Sequence, residues 1–308
     1  MKTKTIALAC AAAVCGAAFA EEEAKAEGWA YNPGEGVSFK EQAIVSAEFS
    51  LAYDSKYLSY GLVDNKHPIL TPAGEITFFD WVSLGAEAIF DVTKYGRKAG
   101  YTSRQWQYTE FHPTATLSHS FSSEDYEWLP TTFEFSIGYD YEYHPNSKSK
   151  GVTPWDKSIS EDTQFITAEV SLPDLWIEPT FQYERDIMRD DGTYLNLEIG
   201  HTFALIEDGE EGADPILSFR PSIAQGFGNA MRVRSYLEGL DHSGLMDTCV
   251  KGELTWRICD YCALSGYVGY SDFIFDRKIR DASREYEATG DWDHSWNFIT
   301  GLALTLNF

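Results

Sequence analysis

The sequence predicts an all-β protein: a membrane-spanning, antiparallel, up-and-down β-barrel of about twelve strands. Three observations carry this: strict period-two alternation, segments long enough to cross a bilayer, and connections that alternate between short and long. The alternation starts near Ile44. Val45, Ala47, Phe49, Leu51 and Tyr53 are apolar, with Ser46, Glu48, Ser50, Ala52 and Asp54 between them. Successive side chains of a strand point to opposite faces, so this pattern puts one face in an apolar medium and the other in a polar one.

The same device recurs to the last residue. Phe133, Phe135, Ile137, Tyr139, Tyr141 and Tyr143 alternate with Glu134, Ser136, Gly138, Asp140 and Glu142. The predicted strands are 44–54, 69–79, 82–91, 107–121, 131–143, 163–172, 175–187, 193–204, 216–227, 247–258, 262–272 and 296–308. They run about 10–13 residues, which suits a tilted membrane strand; soluble strands average about 5–6. Trp81, Trp128, Trp176, Trp256 and Trp296 fall near segment ends, where aromatic girdles form. A soluble β-sandwich shares the period but not these features.

Asp80-Trp81, Pro173-Asp174 and Asp260-Tyr261 are tight turns, whereas 55–68, 92–106, 144–162, 228–246 and 273–295 are long. Short turns on one side and long loops on the other are the layout of an outer-membrane barrel, with the turns in the periplasm. An even strand number returns both ends of the chain to the turn side.

Residues 1–20 read as a secretory signal peptide. Lys2 and Lys4 precede the apolar run Ile6–Ala17, and Ala18-Phe19-Ala20 is a small-x-small cleavage site. Residues 21–42 are charged and Gly/Ala-rich, a flexible periplasmic segment, so the barrel occupies 43–308. Cys10 and Cys15 do not fit a lipoprotein site: one follows too short an apolar run, and Val14 precedes the other.

The 308 residues carry 48 Asp+Glu against 24 Lys+Arg, a net charge of −24. Removing Lys2 and Lys4 with the leader makes it −26. Nucleic acid is excluded as a partner, because no broad basic face can be built from this balance. At 15% aromatic and 44% hydrophobic the chain is too apolar for a disordered acidic protein.

Phe308, with Leu306 and Leu304, resembles the C-terminal signal by which outer-membrane proteins engage their barrel-assembly machinery, although Ala303 stands where that signal often has Gly. The first third resembles the gcw_chp family of proteobacterial outer-membrane proteins. The likeness lies in Ser46-Ala47-Glu48-Phe49-Ser50-Leu51-Ala52-Tyr53-Asp54-Ser55-Lys56-Tyr57, in Ser59-Tyr60-Gly61-Leu62, and in Asp64-Asn65-Lys66-His67-Pro68. It implies a porin-like barrel in contact with outer-membrane lipid, and it implies no chemistry.

Candidate reactive groups are few. Cys259-x-x-Cys262 lacks a following His (Ala263 is there), so it is no haem attachment site, and no second ligand pair stands at metal spacing. A disulfide closing the hairpin suits an exported chain. Cys249 then either faces the lumen unpaired or bridges to one member of the pair. Ser118-His119-Ser120 and Asp293-His294-Ser295 bring nucleophile and base types together without an orienting group. The reading is therefore of a non-enzyme with no cofactor and no metal.

The polar phase is more informative. It carries Glu48, Asp54, Glu87, Glu110, Glu134, Asp140, Glu142, Glu169, Glu178, Glu184, Glu198 and Glu253, against Arg220, Lys251 and Arg257. Charges facing lipid at the midplane cost about 2–4 kcal/mol for a base and less for an acid, so this set is expected to line the lumen. The expected function is a passive channel for small solutes, leaning to cations or neutral molecules, with loop 273–295 narrowing the mouth. Tyr108, Phe165 and Tyr267 are expected to add bulk inside. A plugged structural or adhesion barrel, or a lipid-modifying hydrolase, is the competing reading.

Overall fold

The computed structural model describes residues 45–93, 106–122, 126, 129–145, 162–209, 214–237, 240–284 and 295–308. The expected leader and periplasmic segment, Trp128 and His294 lie outside the described residues. The strands are β1 (Val45–Asp54), β2 (Tyr57–Ser59), β3 (Leu62–Asn65), β4 (Ile69–Phe78), β5 (Val82–Asp91), β6 (Gln107–Phe121), β7 (Phe133–Glu142) and β8 (Thr163–Ser171). They continue as β9 (Thr180–Asp186), β10 (Thr193–Gly200), β11 (Phe203–Ile206), β12 (Leu217–Gly228), β13 (Gly244–Cys259), β14 (Cys262–Asp272) and β15 (Trp296–Asn307). Two short helices, α1 (Ala230–Tyr236) and α2 (Arg277–Arg284), interrupt the series.

Twelve of these strands close into one antiparallel barrel. Each pairs with its neighbour in sequence, β15 returns to β1 (Tyr53 opposite Leu302), and β10 pairs directly with β12 (Leu197 opposite Gln225). Closure leaves no open sheet edge and gives backbone groups partners within the protein, which a medium without water demands. The short β11 continues β10 beyond a break at His201-Thr202. Pro221 lies opposite the break and has no N–H to offer the ladder; only its carbonyl serves, accepting from the His201 N–H at 3.2 Å. No described helix is long and apolar enough to cross a membrane, which says nothing of the strands.

The two faces differ as the alternation requires. Leu84, Leu117, Leu197, Val268, Phe298 and Leu302 point outward and are half-exposed or more. An apolar band of this extent around a barrel is stable against hydrocarbon, not water. Trp81, Trp176 and Tyr261 flank it in the turns; Tyr143, Tyr270 and Trp296 flank it at the loop end. The β4–β5 turn uses Phe79 and Asp80 at φ 53° and 58°, the positive values of a primed hairpin turn.

Two departures from the expected strand pattern have identifiable causes. Ile89 opposes Glu110 but Phe90 opposes Tyr108, so Thr109 is the extra residue of a β-bulge. The bulge flips the phase, and Tyr108, expected inside, packs outward with Phe90 (5.6 Å between ring centres) and Phe111 (6.5 Å). Strand β9 starts at Thr180 rather than near 175, because residues 172–179 form successive turns ending at Pro179. Glu178 therefore sits in a turn at φ 37° instead of in a strand. Strand β13 begins at Gly244, a few residues before its expected start.

Among the described residues, a buried apolar cluster lies at the loop end. Leu62, Val233, Leu237, Met246, Phe273 and Ile279 form a buried cluster drawn from β3, α1 and its C-cap, β13, the segment after β14, and α2. Asn229 caps α1 by accepting from the Arg232 N–H (2.9 Å) and also accepts from the Thr193 N–H (3.0 Å), which fastens the helix to β10. Asp276 accepts from the N–H groups of Lys278 (2.9 Å) and Ile279 (3.2 Å) at the start of α2. It also contacts His242 at 2.8 Å, which ties the segment after α1 to the start of α2. Burial would raise the Asp276 carboxyl, but His242 and these amides hold it below its ordinary value.

Candidate functional site: the acidic bore and its stopper

The inner phase of the strands builds a bore lined by acids. Glu48, Glu87 and Asp140 surround a cavity of about 400 Å³ together with Glu75 and His112. Glu134 accepts from the Ser171 hydroxyl (2.7 Å), and Glu169 accepts from the Gln182 amide (2.8 Å). Arg220 spans Glu178 (3.2 Å) and Glu198, and Lys251 pairs with Glu253 at 3.1 Å. Tyr267 donates its hydroxyl to Asp54, and Phe165 is buried beneath Arg232. Glu178 reaches Arg220 from the turn-side rim. Arg257 pairs with Asp208 at that same rim, away from the mouth.

A group missing from the sequence reading organises the mouth. The hairpin β2–β3 folds inward rather than out to solvent. Tyr60 and Gly61, at φ 51° and 82°, form its two-residue turn. Tyr60 donates to Glu184 on β9 and packs edge-on against Tyr194 (4.7 Å) and Tyr236 (4.8 Å). Arg232 on α1 is 1% exposed; it donates to Glu184 at 2.9 Å and approaches Asp190 at 3.8 Å. Its guanidinium lies 4.7 Å from the Tyr60 ring centre and 5.4 Å from that of Phe165. Burial alone would lower this guanidinium, but Tyr60, Glu184, Tyr236 and Asp190 hold it above its ordinary value. Hairpin, helix and barrel wall are thereby latched through one cation.

Loop 55–68 therefore stands at the mouth; of the segment expected there, 273–295, Phe273 and Ile279 join the same buried cluster, and 285–294 lie outside the described residues. The sequence signal was available: apolar Leu62 and Val63 stand in a loop where solvent would favour polar residues, and Asn229 precedes a run with Val233 and Leu237 at helical spacing.

A second unrecognised constellation lies on β6 and β7. Glu110-Phe111-His112 and Glu142-Tyr143-His144 repeat a Glu-aromatic-His pattern at the loop ends of adjacent strands. The bridge between Phe111 and Tyr143 sets the two triplets side by side. His112 lies 3.3 Å from Glu110 and 3.5 Å from Asp140, and His144 lies 2.6 Å from Glu142 and 3.9 Å from Glu110. Asp64 of the hairpin faces this group. The surrounding protein pushes its carboxyl up to about 7, opposed by the Ser59 hydroxyl and reinforced by Glu110 and Glu142. Its own surface stays open to the bore, and water there moderates the effect.

The other candidates are dispersed. His119 faces outward against Trp81 (5.4 Å) and Phe121 (4.5 Å), an interfacial position away from the bore. Ser295 donates to Asp272 at 2.7 Å, with His294 outside the described residues. Cys259 and Cys262 stand opposite each other across the Asp260-Tyr261 turn as free thiols, and Cys249 is free on the inner face of β13. Mild oxidation is expected to bridge Cys259 to Cys262 and spare Cys249. Thiol titration then shows two reactive groups lost, and recovery of all three after oxidation would defeat the expectation.

No family model matches the chain, and no curated protein matches it in sequence. Among solved structures it is similar to the COG4313 outer membrane channel of Pseudomonas putida F1, at 9% identity and a TM-score of 0.46 over 89% of this chain and 100% of that one. It is also similar to OccAB3 of Acinetobacter baumannii, at 10% identity and TM-score 0.38 over 87% of this chain and 66% of the other. A third is OmpT, an outer membrane protein of Vibrio cholerae, at 8% identity and TM-score 0.36 over 88% of this chain and 100% of that one.

Proposed function

We propose that the chain is a porin-like channel of a bacterial outer membrane, passing small solutes by diffusion and leaning to cations or neutral molecules. The supporting observation is the imbalance of fixed charge in the bore. Arg220, Arg232 and Lys251 are each tied to carboxylates, while Glu48, Glu75 and Glu87 face the lumenal cavity with no described arginine or lysine partner. A low-dielectric wall around such a cavity concentrates cations and repels anions. In this reading residues 1–20 direct export and are removed, residues 21–42 lie in the periplasm, and Phe308 presents the last strand to the assembly machinery.

The latched hairpin favours a second reading, a barrel whose mouth is shut at rest and which acts through its loops. Reconstitution in a planar bilayer separates the two. A steady conductance with a cation-selective reversal potential supports the channel; no current above that of the bare lipid supports the shut barrel.

The Glu48→Gln, Glu75→Gln, Glu87→Gln triple variant is expected to lower the cation-to-anion permeability ratio severalfold and to leave the barrel folded. The measurement belongs at 0.1 M salt, where screening acts over about 10 Å; at 1 M it acts over about 3 Å and masks the difference. An unchanged reversal potential at low salt would count against these acids as the selectivity lining.

A further inference from the structure

We propose that Glu110, Glu142 and His144 form a binding site for a divalent first-row transition cation just inside the loop-end mouth. The inference deepens the channel reading, since it names a class of solute held in the bore. The binding itself does not require an open pore.

Geometry comes first. One ligand atom from each of the three residues lies within 4.8 Å of the others. The side chains of Glu110, Glu142 and His144 are 14%, 18% and 13% exposed, so they are covered by the wall yet open to the bore. Donors around a tetrahedral ion at 2.0–2.2 Å stand about 3.3 Å apart. His144 faces Glu142 through Nε2 at 2.6 Å and Glu110 through Nδ1 at 3.9 Å; an ion takes one of these nitrogens, and with one atom from each residue the three donors lie at most 4.8 Å apart. Glu110 stands on β6 and Glu142 on β7, with His144 just beyond, so an ion would draw together side chains held on paired strands.

The chemistry of the donors selects the ion. Carboxylates alone attract any cation; an imidazole between two carboxylates favours zinc, nickel or copper over magnesium or calcium. His112 then holds Glu110 from behind at 3.3 Å, the role an outer-shell partner plays at metal sites. Three protein donors leave a position for water, as an exchanging site requires and a structural one does not.

The electrostatics agree. The described ion pairs of Glu110 and Glu142 are to His112 and His144 alone, whereas Glu178, Glu184, Glu198 and Glu253 have arginine or lysine partners. Asp140 beside His112 keeps one carboxylate oxygen sealed from solvent with no hydrogen-bond partner. Asp64 approaches from the hairpin, so an ion held here would touch the wall next to the stopper.

The test is an equilibrium titration of the folded, untagged, full-length protein in detergent with Zn²⁺ against a competing chromophoric chelator, in excess Mg²⁺. One saturable site is expected. His144→Ala and Glu142→Gln should each weaken it about tenfold or more, with His144→Gln as a milder second variant should the first misfold. Asp281→Asn removes an exposed carboxylate of α2, outside the bore set, and should leave the Zn²⁺ affinity as it was. No saturable site, an affinity unmoved by both His144 variants, or displacement by Mg²⁺ would overturn the proposal and leave diffuse attraction by the acids. A barrel that binds Zn²⁺ but carries no current keeps the site and loses the channel; a conducting barrel without the site does the reverse.

Discussion

Replacing Arg232 by methionine is expected to open the bore and to destabilise its loop end together. Methionine keeps much of the bulk between Tyr60, Phe165 and Tyr236 but removes the charge that binds Glu184 and Asp190. Breaking a buried ion pair from one side costs about 3–5 kcal/mol, because the other charge is left without a partner. Glu184 is 26% exposed, so bore water can rehydrate it and the lower end of that range applies. About 3 kcal/mol is comparable with the burial of a single large apolar side chain, about 1.5–3 kcal/mol. The latch therefore matters as much as Leu62 does in seating the hairpin. Single-channel recording should show a larger or more frequent open level, and Arg232→Lys an intermediate one, since lysine keeps the charge without the planar fork. Recordings and urea midpoints identical to those of the parent protein would remove the latch from the account.

How much of this was legible in the sequence follows from what the surroundings impose. Lipid dictates one face of every strand, so Val45 to Tyr53 or Phe133 to Tyr143 announce both element and orientation. The side of the strand on which Glu48, Glu87, Glu134 and Glu169 stand follows from the same phase. Tyr108 was misplaced because a single extra residue, Thr109, reverses the phase without disturbing composition. Glu178 was given to a strand because Ile177 and Phe181 keep the right parity across a turn. The mouth was hidden for a different reason. Arg232 meets Glu184 across 48 residues and Tyr60 meets Glu184 across 124, and such contacts leave no periodic trace. The Glu-aromatic-His pair did leave one, but only the antiparallel bridge at Phe111 and Tyr143 gives it meaning.

Loss of the latch removes an attraction; substitution of Gly61 adds a repulsion, and its effect on the bore should be as large. Gly61 turns the hairpin at φ 82°, and a Cβ there would overlap the Asp247 Cβ and press on the Phe273 ring. Neither neighbour is the free end of a flexible chain: Asp247 is fixed in β13, and Phe273 is 1% exposed within the buried cluster. Left-handed backbone costs a residue with a Cβ about 1–2 kcal/mol, and overpacking adds about 1–3 kcal/mol. Withdrawing the tip exposes Leu62 and Val63, at about 1.5–3 kcal/mol each. The Tyr60 contacts to Glu184 and Arg232 add to the docked side, so Gly61→Ala should populate the withdrawn hairpin as a minor state, seen as brief excursions to a second current level. Gly61→Val adds two methyl groups to the same overlap and should hold the open level. Reversal potential should not move, because no bore charge has changed. Gly209, also left-handed at φ 88° but with open space around it, supplies the control: alanine there carries the backbone strain without the clash and should leave the current as it was. If the Gly61 variants conduct like the parent while Gly209→Ala behaves as expected, the hairpin is not the element that narrows the mouth, and the helical segments α1 and α2 take its place.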